Sequence, residues 1–117
     1  MKSQTSISVG CRMTLAAAMF FAGATAAAAG EVAEVQIKKL IYMPAEITVH
    51  VGDTVAWTND DFVAHTATLK TASGEIVWDV PIAPGKTASL QMTQAGSLEY
   101  FCRLHPNMKA TITVLQK

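Results

Sequence analysis

From Gly30 onward, short runs of apolar and β-branched residues alternate with polar turns. Within most runs the apolar residues recur at every second position, which is the period of a β-strand with one buried face. Glycine, proline, asparagine and aspartate separate the runs, and no stretch shows the roughly 3.6-residue period of an amphipathic helix. The pattern predicts an all-β sandwich or barrel of about seven or eight short strands. The predicted strands are residues 32–40, 47–51, 54–58, 64–69, 76–78, 87–92, 98–102 and 110–115.

The N-terminal segment follows a different pattern, that of a secretory signal peptide. Two basic residues lie in a short polar start, residues 13–21 are strongly apolar, and residues 22–29 are small and mostly alanine. A basic start, an apolar middle and an Ala-x-Ala exit are the parts of such a leader. We predict a cleaved leader over residues 1–29, export to the periplasm and one mature domain over residues 30–117. An uncleaved membrane anchor is disfavoured, because the apolar run is shorter than the roughly 20 residues that a spanning helix needs.

Loss of this leader would change the charge and the cysteine content of the protein. The whole chain has nine basic and nine acidic residues. Lys2 and Arg12 belong to the leader, which leaves seven basic against nine acidic residues and a net charge of −2. A near-neutral domain without a run of basic residues argues against nucleic acid as a partner. Cys11 also belongs to the leader, so Cys102 would be the single cysteine of the mature domain and would form no internal disulfide.

That single cysteine begins the motif Cys-x-x-His-x-x-Met, formed by Cys102, His105 and Met108. Strand alternation directs the Cys102 side chain to the buried face, and a tight turn after it would bring residues three apart to the same side. His65 follows a predicted turn at residues 59–61 and would complete the set from another strand. A thiolate, two imidazoles and a weak thioether are the donors of a type 1 copper site. The predicted site is one copper ion, cycling between Cu(I) and Cu(II), with the metal ligands His65, Cys102, His105 and Met108.

Other interpretations of these residues are weaker. Taken alone, Cys-x-x-His arises by chance, His65 would more often be a hydrogen-bonded strand residue, and Met108 would more often pack in the core. Structural zinc sites usually carry at least two cysteines and no methionine. A nucleophilic-cysteine enzyme would need an acidic partner for His105, and a copper enzyme would need more than the three histidines of the chain. We therefore predict that the protein is not an enzyme, and we place the third histidine, His50, on the surface of a strand.

The same residues resemble the cupredoxins, the small blue copper proteins. The resemblance covers nearly the whole predicted mature domain and is carried by Tyr42, by residues 51–57, by residues 95–100 and by the ligand loop. The short spacing between histidine and methionine in that loop is similar to that of the amicyanin branch. Membership would imply a Greek-key β-sandwich and the four copper ligands named above. It would also imply a periplasmic dehydrogenase as electron donor and a c-type cytochrome as acceptor.

Two positions depart from the family pattern. Thr66 stands where members often have an asparagine that ties the two ligand loops together. Arg103 and Leu104 stand where a proline usually precedes the second histidine. The first departure bears on the redox potential, because hydrogen bonds around the ligands tune it. The second places a charge near the expected docking surface.

The sequence therefore predicts a monomeric, periplasmic carrier of single electrons. The electron would leave through His105 at the apex of the ligand loop, beside an apolar patch that Phe62 and Val63 extend. Weak and brief docking on such a patch is typical of redox partners. The alternative is a periplasmic protein that stores copper or delivers it to another protein.

Overall fold

The computed structural model describes residues 30–117, so the predicted signal peptide lies outside the described residues. The described chain is built from nine β-strands joined by turns. They are β1 (Val32–Lys38), β2 (Ile41–Met43), β3 (Glu46–His50), β4 (Thr54–Asn59), β5 (His65–Lys70), β6 (Ile76–Ile82), β7 (Thr87–Gln91), β8 (Gly96–Cys102) and β9 (His105–Leu115). Within these residues there is no helix long and apolar enough to cross a membrane.

The strands form two sheets that enclose one apolar core. One sheet has the order β2-β1-β4-β7, and the other has the order β3-β9-β8-β5-β6. β1 pairs with β4, and β3 with β9, in parallel, whereas the other pairs are antiparallel. Along β9 the residues that enter the core are Met108, Ala110, Ile112 and Val114. The predicted all-β sandwich and its period-two alternation are confirmed.

The predicted strand over residues 32–40 ends at Lys38, and a further short strand, β2, follows it and is the ninth. The chain reverses direction at Lys39 and Leu40, whose φ angles of 53° and 59° lie in the left-handed region. Such angles are uncommon for residues other than glycine. The carboxylate of Asp61 accepts the backbone N–H of Lys39 at 2.6 Å and that of Leu40 at 3.0 Å, and these bonds hold the reversal. No glycine or proline marks this turn, so the hydrophobic pattern did not reveal it.

Four aromatic side chains connect the two sheets in the core. Trp57 of β4 is fully buried and donates its Nε1–H to the hydroxyl of Tyr100 of β8 at 3.1 Å. The ring of Tyr100 also packs against Tyr42 and Trp78, with centroids 4.8 and 6.0 Å away. Burial raises the pKa of Tyr100 to about 12, so its hydroxyl is neutral in the core. The cluster anchors β8, which ends at Cys102, against the opposite sheet.

Candidate metal centre

Cys102 is the last residue of β8 and points into the core. It follows Tyr100 on the buried face of the strand, as alternation predicts, and its side chain is fully buried. The backbone N–H of Thr66 in β5 donates to its Sγ atom at 3.3 Å. Cys102 is a free cysteine, with no disulfide among the residues that the structure describes. The sulfur is therefore shielded from water and available as a donor.

A shift in strand register brings His105 and Met108 to the same end of β8. Along most of the β8–β9 hairpin the pairing is regular, and Phe101 pairs with Lys109. Continued by one step, this register would place Met108 opposite Cys102, but Cys102 pairs with His105 instead. Met108 lies within the resulting irregularity and is buried, with 5% exposure. The hairpin thus brings both the histidine and the methionine to the end that carries the cysteine.

His105 does not lie at the apex of the ligand loop, so our prediction of its position was wrong. Arg103 and Leu104 form the turn, and His105 is already the first residue of β9. We had expected this strand to begin at Ala110, because Pro106 is typical of a turn. His105 is half-buried, so part of the residue still reaches the surface.

Three donor atoms meet at this end of the core. The Sγ atom of Cys102 lies 3.8 Å from Nδ1 of His65 and 3.6 Å from Nδ1 of His105. All three donor atoms lie within 4.8 Å of one another. Metal–nitrogen and metal–sulfur bonds of about 2.0 and 2.3 Å at trigonal angles would place the nitrogen and the sulfur about 3.7 Å apart. The spacing therefore fits a trigonal His₂Cys site, and Met108 is the candidate for its weak fourth donor.

The third histidine takes no part in this cluster. His50 lies at the end of β3 with 57% of its side chain exposed, as predicted for a surface strand residue. Its Nδ1 atom lies 3.8 Å from the carboxylate of Asp53.

The carboxylate of Asp61 orients His65. Its Oδ2 atom lies 2.8 Å from Nε2 of His65. An ionised carboxylate only accepts hydrogen bonds, so Nε2 carries a hydrogen, and in the neutral ring Nδ1 is then the unprotonated nitrogen. Nδ1 is the atom that faces Cys102. Carboxylates placed in this way fix the tautomer and the ring orientation of metal-binding histidines.

The same carboxylate is held ionised by its donors. Burial alone would raise its pKa, but the hydrogen bonds from Leu40, His65 and Lys39 outweigh burial and lower the pKa of Asp61 below its ordinary value. One side chain therefore holds both a candidate ligand and the reversal between β1 and β2. Sequence reasoning missed this residue, because it treated residues 59–61 only as a turn. The available signal was an aspartate four residues before a candidate ligand histidine.

Asp61→Asn is expected to weaken copper binding by about 10- to 100-fold, which is the usual cost of losing the partner of a metal-binding histidine. The amide keeps the size of the carboxylate but removes its charge and half of its acceptor capacity. Competition against a chelator of known copper affinity would measure the change. Asp60→Asn is the matched control, because Asp60 is the exposed neighbour with no bond to His65. Equal copper affinities in the two variants would contradict the role given to Asp61.

Thr66 joins the two ligand segments although it is not the asparagine of the family pattern. Its Oγ1 atom accepts the backbone N–H of Arg103 at 2.9 Å, and its own N–H donates to Cys102. The guanidinium of Arg103 turns to Asp79 and makes two bonds, at 2.9 and 2.8 Å. The positive charge that we expected near the docking surface is therefore paired with a carboxylate.

The surface beside His105 is apolar. One depression is lined by Leu40, His105, Pro106, Asn107 and Met108. Leu104 is 53% exposed in the adjacent turn. Phe62 and Val63 are exposed as well, in the loop that carries Asp61. Leu40 joins this surface because the chain reverses beside Asp61, which the sequence pattern did not show.

Comparison of this sequence with known proteins finds one matching family and several relatives. A family model described as a cupredoxin-like domain matches residues 11–114. Amicyanin from Paracoccus denitrificans is 37% identical over 93 residues, which cover 74% of this chain and 71% of that protein. Plastocyanin from Scenedesmus fuscus is 34% identical over 88 residues, which cover 64% of this chain and 87% of that protein.

Solved structures agree with these sequence matches. The crystal structure of amicyanin from Paracoccus versutus has a TM-score of 0.63 at 28% identity, over 74% of this chain and 82% of that one. A purple cupredoxin from Nitrosopumilus maritimus has a TM-score of 0.62 at 26% identity, over 70% of this chain and 98% of that one. The expected cupredoxin sandwich is thereby confirmed.

Proposed function

We propose a function from the premise that this chain belongs to the cupredoxin family and is amicyanin-like within it. The protein is a type 1 copper protein that carries single electrons between redox partners. The observation that carries this proposal is the meeting of Cys102 Sγ with Nδ1 of His65 and Nδ1 of His105, at 3.8 and 3.6 Å. A thiolate and two imidazoles at this spacing suit a redox copper ion better than they suit structural zinc.

The chain's own residues would hold the donors still. His65, Cys102 and His105 are the proposed trigonal ligands, and Met108 is the proposed weak axial ligand. When bound, copper supplies a centre that alternates between Cu(I) and Cu(II). Asp61 holds the His65 ring, and burial of the sulfur keeps water from the donors. Ligands that the fold holds in place need little rearrangement when an electron arrives or leaves.

The half-buried His105 is the proposed exit for the electron. It lies beside exposed apolar side chains, among them Leu40 and Leu104, which suit the small and transient interfaces of redox partners. Among the similar structures, variants of amicyanin are described in an oxidised state and with Cu(I). Copper bound to this chain would take the same two states, oxidised and Cu(I).

We extend the proposal to the location and the partners of the protein. The predicted leader over residues 1–29 would send it to the periplasm. A periplasmic dehydrogenase would donate the electron, and a c-type cytochrome would accept it. The protein would act as a monomer and would catalyse no reaction of its own.

Addition of Cu(II) to the purified protein tests the copper site. We expect an intense thiolate-to-copper absorption that saturates at one equivalent, disappears on reduction and returns on reoxidation. Failure to develop this absorption at any copper concentration would overturn the proposal.

A reduction cycle in the presence of a Cu(I) chelator separates an electron carrier from a protein that delivers copper. A carrier retains its copper and recovers its full absorption on reoxidation, because ligands held in place by the fold bind both oxidation states. Rapid loss of copper to the chelator at each reduction would instead support storage or delivery.

A further inference from the structure

Two buried hydroxyl groups lie on the face of β5 that points away from the core. Ala67 packs in the core, whereas alternation places Thr66 and Thr68 on the opposite face. Both threonines are nevertheless buried, with 3% and 0% exposure. The backbone N–H of Arg103 bonds to Thr66 and the carboxylate of Asp79 bonds to Thr68, while the Arg103 guanidinium is paired with Asp79. Buried hydroxyl groups need hydrogen-bond partners, so the direction of each bond here is decisive.

The carboxylate of Asp79 determines the direction of the bonds. It is held ionised because the bonds from Arg103 lower its pKa, and an ionised carboxylate only accepts. The hydroxyl of Thr68 donates to Asp79 Oδ1 at 2.6 Å, which commits its one hydrogen. Thr68 must therefore accept from the hydroxyl of Thr66, 2.9 Å away. This leaves the Thr66 oxygen as the acceptor for the backbone N–H of Arg103.

The four residues form a closed ring of hydrogen bonds, which we call the Arg103 ring. The ring starts at the backbone N–H of Arg103, passes through Thr66 and Thr68 to Asp79, and returns to Arg103 through its guanidinium. The three bonds from the Arg103 N–H through Thr66 and Thr68 to Asp79 run in one direction and polarise one another, whereas the guanidinium donates to Asp79 from the other side.

Two residues of the ring adjoin Cys102, one in the chain and one through a hydrogen bond. Arg103 directly follows Cys102, and Thr66 donates its own N–H to the Cys102 sulfur. Displacement of either residue would move the sulfur or its hydrogen-bond donor. The ion pair of Arg103 and Asp79 is bidentate, so it fixes the geometry of both side chains as well as contributing energy.

We propose that Asp79 is a positioning residue for the Cys102 sulfur, acting through Thr68, Thr66 and Arg103. Among the described residues Asp79 bonds to Thr68 and Arg103 and makes no hydrogen bond to the sulfur or to the other candidate ligands, so its effect passes along the ring. The part of this inference that concerns copper rests on the proposed function. The part that concerns the sulfur does not need the metal.

Amide hydrogen exchange in the metal-free protein tests the ring directly. Asp79→Asn and Thr68→Val are expected to speed exchange at the Arg103 amide by about tenfold, since loss of a buried hydrogen-bond partner has an effect of that order. Alkylation of Cys102 should also become faster. Thr68→Val removes the hydrogen bonds that link Thr66 to Asp79 but leaves the ion pair and every charge in place. It therefore distinguishes an effect of the ring from an effect of charge alone. Glu99→Gln is the control, because it removes one exposed charge on β8 outside the ring.

The copper-loaded protein provides the second readout. In Asp79→Asn and Thr68→Val the thiolate-to-copper absorption should shift and copper should leave the reduced protein faster, whereas Asp79→Glu should recover part of both properties. A response in Asp79→Asn that Thr68→Val does not share would overturn the ring, since charge alone would then explain it. The ring would also be overturned if Asp79→Asn and Thr68→Val showed the same amide exchange and the same absorption as Glu99→Gln. If the unaltered protein shows no thiolate-to-copper absorption, the proposed function fails, and amide exchange alone decides the ring.

Discussion

Cys102→Ser is expected to abolish the intense thiolate-to-copper absorption and to lower copper affinity by more than about 100-fold, beyond the usual effect of losing a residue that only supports a ligand. Serine has nearly the shape of cysteine, but its hydroxyl stays protonated at neutral pH and is a poor ligand for Cu(I). The fold should survive, because the Thr66 N–H that donates to the sulfur can donate to an oxygen in the same place. Absorption spectra and chelator competition measure the loss, and thermal unfolding of the metal-free protein checks the fold.

The full chain carries its own control for this substitution. Cys11 is the other cysteine of the sequence and lies before residues 30–117, which the structure describes. Cys11→Ser should leave the absorption and the affinity unchanged. Survival of the absorption in Cys102→Ser, or its loss in Cys11→Ser, would contradict the assignment of the sulfur.

Trp57→Ala is expected to lower the free energy of unfolding by about 3–5 kcal/mol, the usual range for removal of a buried aromatic side chain. Trp57 is fully buried in β4, packs against Tyr100 and Trp78, and donates to the Tyr100 hydroxyl. The substitution leaves a cavity between the sheets and a buried hydroxyl without its donor. Because small domains are stable by only about 5–15 kcal/mol, a large part of the total would be lost.

Denaturant unfolding of the metal-free protein, followed by circular dichroism, measures this effect. Trp78→Ala is the matched control, since Trp78 belongs to the same cluster but is only partly buried. It should cost less than Trp57→Ala. An equal or larger cost for Trp78→Ala would show that the cluster is not centred on Trp57.

Three of the four candidate ligands could be proposed together from the sequence because they lie in one short motif. Cys102, His105 and Met108 lie close together in the chain, and strand alternation alone directs the cysteine inward. The start of β9 was not recognisable, because the shifted register breaks the period of two on which the prediction depends. The proline and asparagine at positions 106 and 107 are compatible with a turn and with an irregular strand, so they do not distinguish the two.

The groups that support the candidate ligands were not recognisable, because they bond to distant parts of the chain. Asp61 bonds to Lys39, 22 residues before it. Arg103 bonds to Asp79, 24 residues before it. An aspartate in a turn and an arginine in a loop look like ordinary surface residues until the strands are paired. Thr66 departs from the family pattern in the sequence, but its bonds to Thr68 and Arg103 are visible only in the structure.

The register shift in the β8–β9 hairpin makes the two ligand spacings independent of each other. The interval from Cys102 to His105 is a turn at the end of the hairpin, whereas the interval from His105 to Met108 lies in the unpaired irregularity. Residues inserted into that irregularity would lengthen the loop without moving any pair between Gly96 and Phe101. Evolution or protein design can therefore change the length of the ligand loop while the sandwich beneath it keeps the same packing.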